Sequence, residues 1–341
     1  MAAQPVAPGS RPIPIDDFSA PLASVPDWEY FARTPGEHWV STADEYFLLI
    51  SHEPVDLADN EVLFASINGL TDRSRLEAGT LQPVDTTNGP MLVAAIHVPA
   101  GWRGSYDLLR LTVPVPSDQR VWWKTALARP LVSKELHTPD LAGHAFTKHP
   151  PYEFETIEAD GRRITIARHT GAPSTTLPGM VVFDGPIFMR TQLLGFLGAH
   201  ALPWVAFIDH GAVQERNKDL LFNPTFFEEI GAVLPSGPAI LAGSSFGGLA
   251  ALWGHREHPE KYPYAIGLSA PWVRMTLPEA IADPQVYLGS GTLEWLMKPS
   301  TELMTKTLEA GKQHMHNFVG GHDKYCWTQA IVSGLDYFFA P

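Results

Sequence analysis

The sequence is poor in the features that mark several large protein classes. It holds one cysteine, Cys326, among 341 residues, so no disulfide can close within the chain. That lone thiol reads as a small buried apolar residue rather than as a nucleophile. No apolar run reaches the ~18 residues of a membrane-spanning helix. Positive charge is scarce: 24 Lys and Arg against 37 Asp and Glu leave a net charge of −13. Without a basic stripe, nucleic acid and anionic membrane surfaces are poor candidates as partners. The N-terminal stretch MAAQPVAPGSRPIPIDDFSAPLASVP has neither a basic start nor an apolar core of signal-peptide length, so the cytoplasm is the expected location. No metal-ligand spacing stands out, and no metal or cofactor is expected.

What is present is a globular balance, with 45% hydrophobic and 18% charged residues, at a length that suits one large domain or two modest ones. Residues 1–27, rich in Pro and Ala, are expected to form a flexible arm. EYFLLIS (Glu45–Ser51), EVLFASING (Glu61–Gly69) and MLVAAIHVPAGWRGSYDLLRLTV (Met91–Val113) read as strands with turn signals between them, hence a small β-sandwich. Trp102 and Tyr106 read as part of its core. Proline then punctuates residues 114–150, which read as a long ordered linker with a helical turn near Trp122–Ala128. From Tyr152 onward the pattern changes. FETIEA and RRITIARHT form a hairpin around Asp160–Gly161. GMVVFDG, LPWVAFID and PAILAGSS are continuous apolar runs, the mark of strands covered on both faces. Strands alternating with helices up to a last helix near Lys324–Phe339 predict a doubly wound α/β sheet.

Within that sheet, Gly243-Ser244-Ser245-Phe246-Gly247 fits G-x-S-x-G, with an apolar strand before it and a small-residue helix after it. Ser245 is the candidate nucleophile, and Ser244 serves the turn. A serine hydroxyl needs a base, and the order Ser, acid, His selects His322 in FVGGHDKYCW, with Glu294 in VYLGSGTLEWLM as the acid. Asp323, next to His322, reads as a cap of the last helix. The N–H of Phe246 is one expected oxyanion donor. The second comes from Asp184-Gly185-Pro186-Ile187, where Pro186 has no N–H, so Gly185 or Ile187 must donate; Gly185 is preferred.

Taken together, GSSFGGLAALWGHREHPEKY and GGHDKYCW resemble the enterochelin (enterobactin) esterases, and SINGLTDR, GWRGSYDL, VVFDG and AFIDHGAVQERNKDLLFNPTFFEEI extend the resemblance over roughly residues 28–340. It implies an α/β-hydrolase catalytic domain (151–341) preceded by an immunoglobulin-like β-sandwich domain with a Pro-rich linker (28–150). It implies hydrolysis of the trilactone of a catecholate siderophore through a serine acyl-enzyme, with Ser245, Glu294 and His322 as nucleophile, acid and base. Ferric iron would arrive as cargo of an anionic substrate. The resemblance further implies Arg216, Asn217, Arg103 and Asp184 as substrate contacts; Arg190 is a further candidate for a local basic patch. A general carboxylesterase, a feruloyl esterase or an acyltransferase on the same fold remains the alternative, as does a non-enzymatic binding scaffold.

Overall fold

The computed structural model describes residues 18–340 apart from 44, 73–74, 142–143, 199, 272–284, 295–296, 298 and 300–312. The chain forms two compact units. One comprises residues up to Leu141 together with Val319–Asp323, the other Ala142–Phe318 with Lys324 onward.

The first unit is built on two antiparallel sheets. One has the order β1-β2-β5-β4, from β1 (Gly36–Ser41), β2 (Tyr46–His52), β4 (Gln82–Thr86) and β5 (Gly89–Val98). The other has the order β3-β6-β7, from β3 (Glu61–Ile67), β6 (Arg103–Thr112) and β7 (Val132–His137). Period-two burial explains the strands: Met91, Val93 and Ala95 fall on one face of β5 and pack with Phe47 and Leu49 of β2. Trp102 and Tyr106 are fully buried, as expected of core residues.

Two sequence expectations change here. Residues 114–150 are more than a linker, because they supply α2 (Gln119–Leu127) and the edge strand β7. Trp122 and Trp123 of α2 cover Phe64, Leu109 and Leu111. The proline-rich composition hid β7, whose six residues VSKELH are only partly buried and carry little apolar signal. Most of the arm, residues 1–17, lies outside the described residues. Its end is tied down: Phe18 and Val25 are buried, Ser19 bridges Ile96, and Ala20 N–H donates to the Ala95 carbonyl at 2.9 Å.

The second unit carries an eight-stranded sheet of order β15-β14-β13-β12-β10-β11-β9-β8. Its strands are β8 (Tyr152–Ala159), β9 (Arg162–His169), β10 (Gly179–Phe183), β11 (Trp204–Asp209), β12 (Ala239–Ser244), β13 (Tyr264–Leu268), β14 (Val286–Gly291) and β15 (Gln313–Phe318). From β10 to β15 the neighbours run parallel, and the β8–β9 hairpin joins antiparallel at β11. The hairpin turns at Asp160 and Gly161, both at positive φ, as the Asp-Gly signal predicts.

All residues of β10 and β12 are buried, because helices cover both faces. Met180 and Val182 point to one core with Phe188, Trp327, Ile331 and Leu335. Val181 and Phe183 point to the other with Phe226, Phe227, Ile230 and Ala250. Between them these cores dock α3 (Gly185–Arg190), α4 (Leu193–Phe196), α5 (Val213–Leu220), α6 (Pro224–Val233), α7 (Phe246–Glu257) and α8 (Lys324–Phe339). The described residues include no helix long and apolar enough to cross a membrane.

Candidate active site

The carboxyl ends of parallel strands are where open α/β sheets present reactive groups, and the candidate residues of the second unit gather at those ends. Ser245 follows β12 directly and precedes α7, with φ 54 and ψ −127. A non-glycine residue rarely occupies that region, and such strain concentrates at functional sites. The surroundings enforce it. Ser245 N–H donates to the Leu268 carbonyl of β13 at 2.8 Å, and its carbonyl accepts the first bond of α7 from Leu249 N–H at 3.1 Å. A Cβ on Gly243 would lie 2.5 Å from the carbonyl carbon of Gly247, and one on Gly248 would lie 2.8 Å from the Leu268 carbonyl oxygen. Gly243 and Gly248 of GSSFGG are therefore required by backbone approach. Ser244 is buried, whereas Ser245 is half-buried.

At the neighbouring end of β10, Asp184 adopts the left-handed region at φ 55 and opens α3 with Gly185 as its first residue. Pro186 is accommodated in the first turn, where an N–H has no intrahelical carbonyl to meet. Ile187 N–H donates to the Asp184 carbonyl at 2.9 Å, which leaves Gly185 as the available donor of the two. Gly185 is also fixed in identity, since a Cβ there would lie 2.6 Å from the Phe207 backbone. Phe246 likewise opens α7, so its N–H belongs to the first turn, which no intrahelical bond satisfies.

Glu294 lies just beyond β14 and is 4% exposed. Its Oε1 accepts from Ser269 Oγ at 2.6 Å and from Gly291 N–H at 3.0 Å. Ser269 Oγ in turn accepts from the Trp327 indole N–H at 2.8 Å. A buried carboxylate held by a serine, an amide and, behind them, an indole is fixed in position. The sequence reading missed Ser269 and Trp327; Ser269 follows β13 at positive φ (48°), another strained residue at a strand's carboxyl end.

His322 lies in the Val319–Asp323 segment of the first unit and is exposed. Its carbonyl accepts from Asn68 Nδ2 at 3.2 Å. A Cβ on the preceding Gly321 would lie 2.1 Å from Asn68 Oδ1 and 3.1 Å from Gly69 N, so the loop is seated on the Asn68–Gly69 turn. Asp323 is buried and accepts from Ser105 N–H and Ser105 Oγ at 3.1 and 2.5 Å. Its carboxylate thus ties the loop to β6, a role the helix-cap reading did not include.

The expected substrate contacts fare unevenly. Arg103 is buried at 9% exposure and forms an ion pair with Glu135, Nε to Oε1 3.0 Å. Burial pushes the Glu135 carboxyl up, and Arg103 offsets part of that rise. Arg103 thus meets a carboxylate within the first unit. Arg216 is engaged as well: Nε and Nη2 donate to Asp184 Oδ1 and Oδ2 at 2.5 and 2.7 Å. Arg216 and Asp184 therefore meet each other before either can meet substrate. Asn217 is half-buried on α5, and Arg190 is exposed at the end of α3. Nearby, Asp219 of α5 is buried between Arg162 and His210, at 2.6–2.8 Å. Among the described residues no group of three or more His, Cys, Asp or Glu is arranged to hold a metal ion.

The family model described as "Putative esterase" matches residues 224–338, which span Ser245, Glu294 and His322. The iron(III) enterobactin esterase of Dickeya dadantii (strain 3937) is 23% identical, with 80% of this chain and 82% of that protein covered. The crystal structure of ferric enterobactin esterase from Salmonella typhimurium superposes with a TM-score of 0.72 at 18% identity, covering 90% of this chain and 97% of that one. The enterobactin esterase of Shigella flexneri, crystallised in the presence of enterobactin, gives 0.69 at 18% identity with the same coverage. Both crystal structures share the fold across both units of this chain. The chain is an esterase, with residues 224–338 matching an esterase family model, and it resembles the enterobactin esterases in sequence and in fold.

Proposed function

We propose that the chain hydrolyses the trilactone ester bonds of a catecholate siderophore, iron-loaded or free, in the cytoplasm, through an acyl-enzyme on Ser245. The observation that carries this reading is the strained Ser245 turn at the end of β12, in a chain whose fold matches enterobactin esterases over both units. In this reading the first unit is an immunoglobulin-like β-sandwich and the second the catalytic domain.

The chemistry follows from the residues. Ser245 Oγ attacks an ester carbonyl while His322 takes its proton, forming the Oγ–C bond and a tetrahedral oxyanion. Phe246 and Gly185 N–H groups stabilise that oxyanion. Its collapse breaks the C–O bond to the leaving serine hydroxyl of the siderophore, which receives the proton from His322. Water then repeats the sequence and frees the acid. Glu294, held by Ser269 and Gly291, orients the imidazole and balances its transient charge. Opening the lactone severs the link between the chelating arms, so they bind iron at ordinary rather than effective concentration and affinity falls by orders of magnitude. Iron is cargo in this scheme and takes no part in the steps.

One observation favours the alternative of a general carboxylesterase: two of the three arginines expected to greet an anionic substrate, Arg103 and Arg216, are already paired with carboxylates. The test is a product-resolved panel by mass spectrometry with enterobactin, bacillibactin-type trilactones and p-nitrophenyl esters, free and iron-loaded where relevant. Preferential trilactone cleavage, abolished in Ser245→Ala while ferric-siderophore binding persists, is the expected result. Preference for the simple esters would remove the siderophore reading, and undiminished turnover by Ser245→Ala would remove the nucleophile.

A further inference from the structure

We infer that Arg216 is a positioning residue that holds both halves of the oxyanion hole, rather than a binding group for substrate charge. The inference rests on the proposed role of Ser245 and is argued from four contacts.

The first is the fork. Nε and Nη2 of Arg216 engage the two oxygens of Asp184 at 2.5 and 2.7 Å, with Asp184 9% and Arg216 25% exposed at the side chain. A bidentate charge-assisted pair fixes direction as well as distance. The second is what the fork restrains. Asp184 stands at φ 55, and the residue after it is Gly185. A strained left-handed residue needs its surroundings to hold it, and its ψ aims the Gly185 N–H. The third contact reaches the other half: Arg216 Cζ lies 5.6 Å from the centroid of the Phe246 ring, and Phe246 supplies the second N–H. The same carboxylate borders the serine turn, since a Cβ on Gly247 would lie 3.3 Å from Asp184 Oδ2. One guanidinium therefore spans the residues of both donors.

The fourth concerns what holds Arg216. Three residues further along α5, Asp219 is locked to Arg162 and His210, and residues three apart share a helix face. The helix is pinned by the pair beside the one it presents. Electrostatics adds a second reason for the arrangement. An unpaired carboxylate at Asp184 would oppose a developing oxyanion nearby, and the guanidinium neutralises it.

The experiment measures kcat and KM for p-nitrophenyl acetate and for an iron-loaded catecholate trilactone with Arg216→Ala, Arg216→Lys and Asp184→Asn. For both Arg216 variants kcat should fall about 10²-fold on the neutral and the anionic ester alike, the scale of one lost oxyanion donor, with KM nearly unchanged. Lysine should fail as badly as alanine, because a point charge cannot replace the fork. Asparagine tolerates left-handed backbone, so Asp184→Asn removes only the ion pair. It should lower kcat too, and the double variant should fall no further than Arg216→Lys.

A KM increase confined to the anionic ester, with Arg216→Lys close to wild type, would overturn the inference in favour of charge binding. Additive losses in the double variant would overturn it as well. If Arg216→Ala does not fold, Arg216→Lys and Asp184→Asn carry the same readout. A fluorophosphonate probe separates this test from the underlying assignment. Labelling of Ser245→Ala would refute the nucleophile, whereas labelling of Arg216→Lys at the wild-type rate would refute the positioning role alone.

Discussion

Asn68, 254 positions away in sequence, and Gly321, immediately before it, show how single residues set the geometry of a candidate general base, His322. The Asn68 amide donates to the His322 carbonyl at 3.2 Å, and there is no room for a methyl group between Gly321 and that amide. Gly321→Ala should push the Asn68 side chain aside, break its bond to His322 and move the imidazole. A 1 Å misplacement of a reacting group costs about 10²-fold, so kcat on p-nitrophenyl acetate should fall by about one to two orders of magnitude. Asn68→Ala removes the same bond without the clash and should lose less. Equal activity of Gly321→Ala and wild type would show that the loop is not placed by this turn. By contrast, Gly243 and Gly248 answer to main-chain atoms of Gly247 and Leu268, which have no side-chain rotamer to yield.

At the level of elements, α5 is the clearest case of a helix docked by charge. Its residues VQERNKDL offer little apolar surface, with Asp219 and Leu220 the buried ones. Burial pushes the Asp219 carboxyl up, but the bonds from Arg162 and His210 outweigh it and hold the group below the usual aspartate value. A depressed acid stabilises the fold above its unfolded pKa of about 3.9 and loses that contribution as pH falls through its folded value. Asp219→Asn should therefore cost about 3 kcal/mol at pH 7, the range for breaking a buried pair. The gap to wild type should narrow below about pH 4. Chemical denaturation across that window checks it; a gap that stays constant to pH 3 would mean that packing, not ionisation, is at stake.

The same helix marks the limit of what the sequence makes legible. The apolar runs of β10 to β14 and the glycine spacing around Ser245 are local patterns, and they located both the sheet and the strained serine. The Arg216–Asp184 fork joins positions 32 apart, so nothing in either segment announces it. Composition misled at β7, where VSKELH in a proline-rich stretch pairs with Arg103–Leu108, and at Phe18, a buried anchor within a stretch read as an arm.

Over the whole chain the dominant quantity is the net charge of −13. An anionic iron complex approaching such a protein meets a repulsive field unless local cations reverse it. Several arginines are already matched by carboxylates. Arg103 faces Glu135, Arg216 faces Asp184, and Arg162 faces both Asp219 and Glu229; each guanidinium is balanced by at least one carboxylate. Repulsion should therefore show in the rate of encounter. Raising ionic strength from about 10 mM to 150 mM shortens the Debye length from about 30 Å to 8 Å. This should raise kcat/KM for an iron-loaded trilactone several-fold, with p-nitrophenyl acetate unaffected as the neutral control. The opposite slope, a fall in kcat/KM with salt for the anionic substrate alone, would point to an exposed cation such as Arg190 as the group that steers it. Arg190→Gln would then flatten the dependence.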